Sequence, residues 1–407
     1  MESYYILTTL IGLSAAFAYI NHRFIRMPFV IGIFSLSALL SLVVMLSRIW
    51  LPHPYFYLKT LVDHTDISQF VLQIMLGPLL FAGSFHTDGN SIKAHFRQIS
   101  LLALVGVLLS TIIIGSVLYG LTCIMNVHMT FIECLIFGAL ISPTDPIAVI
   151  GILTKAGVRK ELEAVIVGES LFNDGVGVVT FISLLGILIS GNKFDASHFS
   201  SLFLQEAIGG ITFGLVLGFG LHFLLRSLDK YDVEVLLTIA TVMVGYSLAL
   251  AIHVSGPLAM VVMGLIVGSY KQDLAMAAIT KDYLHKFWEL MDIVLNAVLF
   301  ILIAFIMVVI DFKTSYIIIG LVSVFIVLLS RIIAIYIPTL LLPGIMKFTA
   351  KDANLVIWGG LRGGLSLALA MSLPDSEAKH IILIATYFCV FFSIIIQGLT
   401  ISRLAKY

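Results

Sequence analysis

Apolar residues occur along this chain in blocks long enough to cross a bilayer, separated by short polar or Pro/Gly-rich clusters. Marking those blocks predicts thirteen helices, over about residues 3–20, 28–50, 67–87, 97–124, 130–152, 162–190, 202–225, 232–252, 255–270, 285–311, 314–341, 353–372 and 378–401. The ninth is short, because the break at His253 to Pro257 falls just ahead of it. An odd helix between two sets of six predicts two inverted repeats within one transmembrane unit spanning 1–407. The first repeat covers 1–190, a linker helix covers 191–231, and the second repeat covers 232–407. A faint likeness between Leu76–Phe85 in the third helix and Leu295–Ala304 in the tenth fits that division.

Composition narrows the class. Of 407 residues, 60% are hydrophobic and only 11% charged, which excludes a water-soluble globular protein and predicts an all-α polytopic membrane protein. The 23 basic and 23 acidic residues cancel, so nothing argues for a nucleic-acid partner. Loop charge sets orientation. The side reached after each odd-numbered helix carries 16 Lys/Arg, among them Arg23, Lys93, Arg97, Arg159 and Lys347, and the other side carries five. By the positive-inside rule this puts the amino terminus outside and the carboxyl terminus in the cytoplasm of a multi-pass protein of the cell membrane. The first helix has no basic region before it and no small-residue cleavage site after it, so it is expected to stay as an anchor. Cys123, Cys134 and Cys389 lie in apolar stretches without metal-ligand spacing and read as small buried residues.

Against this background five ionisable residues stand out well inside spans: Asp145, Glu169, Asp174, Arg331 and Arg362. Charges at that depth pair with each other or line a cavity. In the sixth helix, Gly168-Glu-Ser-Leu-Phe-Asn-Asp174 carries Asp174 roughly 18 Å inward at about 1.5 Å per residue, near the middle of a bilayer. Glu169, Ser170, Asn173 and Asp174 share an arc of roughly 140° on one helix face. Gly168, Gly175 and Gly177 leave room for another backbone to approach. A buried Glu169 needs a cation, and Arg331 and Arg362 are the two candidates. Asp174, next to the neutral oxygen of Asn173, is the better ion ligand.

In the fifth helix, Pro143 and Pro146 flank Thr144 and Asp145, so the backbone must open there. Asp145 can cap a new half-helix started by Pro146, a role compatible with holding an ion. In the twelfth, Trp358-Gly-Gly-Leu-Arg-Gly-Gly-Leu365 surrounds Arg362 with four glycines. The plain alternative is glycine-mediated packing with a snorkelling arginine, but Arg362 lies far from either surface. Two interrupted helices in matching repeat positions point to a transporter's binding site. Oxygen ligands from Asp, Asn, Thr and Ser suit a small alkali cation rather than a soft metal. There is no His/Cys cluster, phosphate loop or nucleophile elbow, so neither an enzyme nor a cofactor is expected.

Together, Thr144-Asp145-Pro146, Gly168 to Asp174 and Gly359-Gly-Leu-Arg-Gly-Gly364 make the chain resemble monovalent cation:proton antiporters of the NhaP type, related to eukaryotic sodium/proton exchangers. The resemblance covers essentially the full length. It implies a thirteen-helix homodimer whose core domain, with crossed and unwound fifth and twelfth helices, moves like an elevator against a dimerisation domain. By the same resemblance Asp174, Asp145, Thr144, Ser170 and Asn173 match ion-site positions, with Asp174 and Asp145 as Na⁺ ligands. Glu169 and Arg331 match an ion bridge, and Arg362 matches the basic residue of the twelfth-helix motif. Relatives with Asn-Asp at positions 173 and 174 are generally electroneutral. The third helix lacks the acid many relatives carry there, and only Ser402 to Tyr407 follow the last helix.

The expected activity is exchange of Na⁺ or Li⁺ for a proton at Asp174, which can hold one or the other, with 1:1 stoichiometry. K⁺/H⁺ exchange is the nearest alternative and a cation channel a more distant one. Oxygen ligands alone do not choose between the alkali cations.

Overall fold

The computed structural model describes residues 2–47, 67–145, 150–151, 153–154, 157–191, 195–228, 230–269, 278–309 and 313–405. The helices follow the predicted order: α1 (Glu2–Ile20), α2 (Phe29–Ser47), α3 (Ile67–His86), α4 (Phe96–Ile124), α5 (Phe131–Ile141), α6 (Lys160–Ser190) and α7 (Ala196–Arg226). After them come α8 (Tyr231–Ala251), α9 (Gly256–Ser269), α10 (Ala278–Val309), α11 (Thr314–Leu341), α12 in two halves (Ala350–Gly359 and Gly364–Met371) and α13 (Glu377–Ala405). Among the described residues nine helices are long and apolar enough to span, and the halves of α12, bent by 45°, make a tenth. A count of thirteen rests on α1, α5 and α9, which are outside those ten; α5 has 11 residues and α9 has 14. The predicted helical segments at 48–50, at Pro146–Val149 and at residue 270 lie outside the described residues, as do Arg48, Lys59, Lys155, Lys193, Lys271 and Lys406.

The helices pack in two groups. In one, α9 lies against α3 and α7, and α10 against α1, α2, α3 and α8. In the other, α4 packs on α5 and α11, α11 on α13, and α5 on α6. The groups meet where α6 passes α7 and α9, and where α10 passes the second half of α12.

Lipid is as apolar as a leucine side chain, so close backbone approach and internal hydrogen bonds hold helices together in a membrane. Both occur here. Gly210, Gly214 and Gly218 repeat every four residues on α7 and face Ser255, just ahead of α9, and Ala259 and Met263 on it; a Cβ at Gly214 would sit 2.6 Å from the Ala259 carbonyl oxygen. Tyr246 on α8 donates to the Leu72 carbonyl at 2.7 Å, and the Trp288 indole on α10 donates to Thr238 Oγ1 on α8 at 3.1 Å.

One expectation about composition is corrected. Cys134 and Cys389 are buried, but Cys123 is exposed on the outer surface of α4. Its sulfhydryl is weakly polar and suits an apolar surface as well as an interior.

Candidate functional site

The site forms where the breaks in α5 and α12 meet. Each first half-helix starts on a threonine capping box. The Thr130 amide donates to Glu133 Oε2 at 2.7 Å, and the Glu133 amide returns a bond to Thr130 Oγ1 at 3.3 Å. The Thr349 amide donates to Asp352 Oδ2 at 2.9 Å, and the Asp352 amide donates to Thr349 Oγ1 at 3.2 Å. Each then runs about three turns and stops. Pro143 has no amide hydrogen to continue the ladder, so Pro143, Thr144 and Asp145 leave the helix. In α12 the backbone opens over Gly360 to Gly363, where glycines offer no side-chain support for a helix.

The two breaks are bonded to each other. The Asp145 amide donates to the Leu361 carbonyl at 2.7 Å. In return, Nη1 of buried Arg362 donates to the carbonyls of Ser142 and of Pro143, the latter at 2.9 Å. A cation here meets the negative end of the α5 dipole and satisfies carbonyls that the broken helix leaves open. The Arg362 amide donates to Ser393 Oγ on α13 at 2.9 Å. Gly363 packs on the Asp145 side chain so closely that a Cβ would lie 2.6 Å from Oδ2.

α6 closes the site from the side. Asn173 grips Thr144 twice: Oδ1 accepts from the Thr144 amide at 3.2 Å, and Nδ2 donates to Thr144 Oγ1 at 2.8 Å. Ser170 Oγ lies 3.0 Å from the same hydroxyl. Glu169, only 1% exposed, pairs through both carboxylate oxygens with Arg331, whose Nη2 also donates to the Val356 carbonyl at 3.1 Å. Arg362 is therefore bound to α5, and Arg331 is the partner of Glu169. The three sixth-helix glycines make tight contacts: Gly168 with Ile92 and Ile99, Gly175 with Leu258 of α9, and Gly177 with Pro143.

Asp145 and Asp174, both half-buried, lie within electrostatic reach of each other and line one cavity of about 760 Å³ with Ser170. It extends to Asp88, Lys160 and Glu163, at the same end of the molecule as the basic loops. At that mouth the Ser91 hydroxyl, 2.5 Å from Asp88 Oδ2, holds the Asp88 carboxyl below its ordinary value, so it stays ionised to lower pH. Carboxylates and hydroxyls converging in a partly enclosed space suit a hard cation or a proton.

Four lining acids are absent from the candidates read off the sequence: Asp88 and Glu163 at the mouth, and two on α10. Asp292 and Glu289 of α10 face the cavity from the other helix group, with Asn296 donating to Asp292 Oδ1 at 3.0 Å. Their signal was the spacing: Glu289, Asp292 and Asn296 recur every three or four residues and so occupy one helix face.

A family model described as sodium/hydrogen exchanger, transmembrane, matches residues 12–407. The chain is 43% identical over 401 residues to the Na⁺/H⁺ antiporter NhaP of Pseudomonas aeruginosa, covering 97% of this chain and 95% of that protein. It is 35% identical over 347 residues to the Na⁺/H⁺ antiporter NhaH of Halobacillus dabanensis, covering 84% and 82%. The solved structure of the sodium proton antiporter MjNhaP1 from Methanocaldococcus jannaschii superposes with a TM-score of 0.77 at 19% identity, over 100% of this chain and 99% of that one. At that identity the likeness is one of fold.

Proposed function

The chain belongs to the sodium/hydrogen exchanger family, and from that premise we propose that it exchanges Na⁺ for H⁺ at Asp174. One observation carries the assignment. Glu169 is engaged by Arg331 and Asn173 by Thr144, so the carboxylates turned toward the cavity from the crossing are Asp174 and Asp145. Asp174 holds either the proton or the metal ion; Asp145, Ser170 and Thr144 complete the oxygen set. Glu169, Arg331 and Arg362 hold the frame.

The mechanism is competition. Binding one ion displaces the other, and the site changes sides only when its charge is neutralised. Asn173 supplies no second titrating carboxylate, so one cation crosses per proton and no net charge moves. Li⁺ fits the same hard donors.

The cavity opens at the end that carries the excess of basic loops, which supports a cytoplasm-facing state, with the amino terminus outside and the carboxyl terminus inside. The matching threonine boxes and breaks of α5 and α12 support two inverted repeats joined by α7. A homodimer in the cell membrane completes the reading.

Purified protein in sealed vesicles tests it. Na⁺ and Li⁺ should each drive proton movement without generating a membrane potential. Proton movement driven only by K⁺ would replace Na⁺ as the substrate, and cation flux without proton movement would make the protein a channel.

A further inference from the structure

A second cavity, of about 710 Å³, opens at the basic end of the molecule, away from the ion site. Three segments distant in sequence form it: the start of α4, the start of α6, and the link between α11 and α12. The segments are tied together. Gln98 Nε2 donates to the Ile345 carbonyl at 2.7 Å, and Arg159 pairs with Asp352 at 2.6 Å.

Its lining is strongly one-signed. Lys93, Arg97, Arg159 and Lys347 converge on it with His95, against a single lining acid, Glu161. Asp352 answers Arg159, but among the described residues no ion pair involves Lys93, Arg97 or Lys347. Topology alone asks that basic residues lie on this side of the membrane; it does not ask that they share one concavity. Holding like charges together is unfavourable unless an anion joins them.

Beside the charges lies an apolar flank. Phe96, 52% exposed, lines the pocket, and exposed Leu340, Leu341 and Leu342 lie two to four residues ahead of its Gly344 in the chain. A phosphate joined to acyl chains meets both surfaces at once, whereas a free anion meets only one. Basic pockets between membrane helices on the cytoplasmic side are a recurrent setting for acidic lipid headgroups.

We propose that this pocket binds the phosphate headgroup of an anionic membrane lipid. All three segments belong to the group built from α4, α5, α6, α11, α12 and α13, so the lipid ties the ends of these helices to the leaflet and braces them against each other. The proposal takes its sidedness from the orientation given above and does not depend on which ion is exchanged.

The test uses the full chain purified in detergent, following its thermal midpoint while phosphatidylglycerol, cardiolipin, phosphatidylcholine or inorganic phosphate is titrated in. The variant K93Q/R97Q/K347Q alters only exposed side chains and should keep the unliganded midpoint. At about 1 kcal/mol per basic residue near an anionic headgroup, it should bind anionic lipid on the order of 100-fold more weakly. The expected result is a rise in midpoint with either anionic lipid, suppressed by salt and by the variant, and none with phosphatidylcholine. An equal rise with phosphatidylcholine, or an undiminished rise in the variant, overturns the proposal. An equal rise with inorganic phosphate removes the lipid from it. Because the readout is stability, failure here leaves the exchange reading untouched, and absence of exchange leaves this result intact.

Discussion

Asp145 and Arg362 hold each other's helices in place: the amide of the first bonds to the residue before the second, and the guanidinium of the second bonds to carbonyls just before the first. The two breaks therefore behave as one joint. Arg362→Ala would leave the Ser142 and Pro143 carbonyls without their donor, at about 1–3 kcal/mol for each buried group left unmet. Lower folded yield and loss of exchange are expected, with partial recovery in Arg362→Lys, which restores charge but not the fork. Wild-type yield and exchange in the alanine variant would refute this.

Glu169→Gln strands Arg331 in a buried position. Breaking such a pair costs about 3–5 kcal/mol, so membrane yield and thermal midpoint should both fall. Glu169→Leu with Arg331→Met should be less damaging than either single change, because no lone charge remains. Full stability with lost exchange in Glu169→Gln would move Glu169 into the ion site.

Asp174→Asn should accumulate in the membrane at normal levels and exchange nothing, measured as proton flux in vesicles. In the wild type, competition means that the half-saturating Na⁺ concentration rises as pH falls, by up to about tenfold per pH unit where the proton dominates. A half-saturation independent of pH would rule out a shared site.

Asp292 lines the cavity of Asp145 and Asp174 from the opposite helix group. Removing its charge in Asp292→Asn should raise the half-saturating cation concentration on the cavity side several-fold, by roughly 2- to 10-fold at the effective dielectric of a partly wet site. Maximal rate should change little, and added salt should shrink the effect. An unchanged half-saturation in Asp292→Asn would leave Asp292 a bystander.

Much of this architecture is written in local chemistry. Pro143 and the glycines around Arg362 announce their breaks, because no tertiary contact supplies the missing amide or side chain. Glu169 needed a buried cation, but the choice between Arg331 and Arg362 depended on which helix passed where, which periodicity does not encode. Asp292, as deep in its predicted span as Glu169 is in its own, escaped notice because no glycine or proline beside it marks a break or a close approach. Cys123 illustrates the converse: an apolar run fixes a helix in the membrane but not which of its faces meets lipid.

The glycine seam between α7 and α9 has a consequence for how the chain shares out its motion. Backbones in such contact cannot slide without colliding, so α7 stays with its neighbours while α6, next in line, bears Asp174. The polypeptide passes between the two groups after His86, after Ser190 and after Val309. A shift of one group against the other would therefore leave that seam whole and fall on the looser meetings, α6 with α7 and α9 and α10 with the second half of α12.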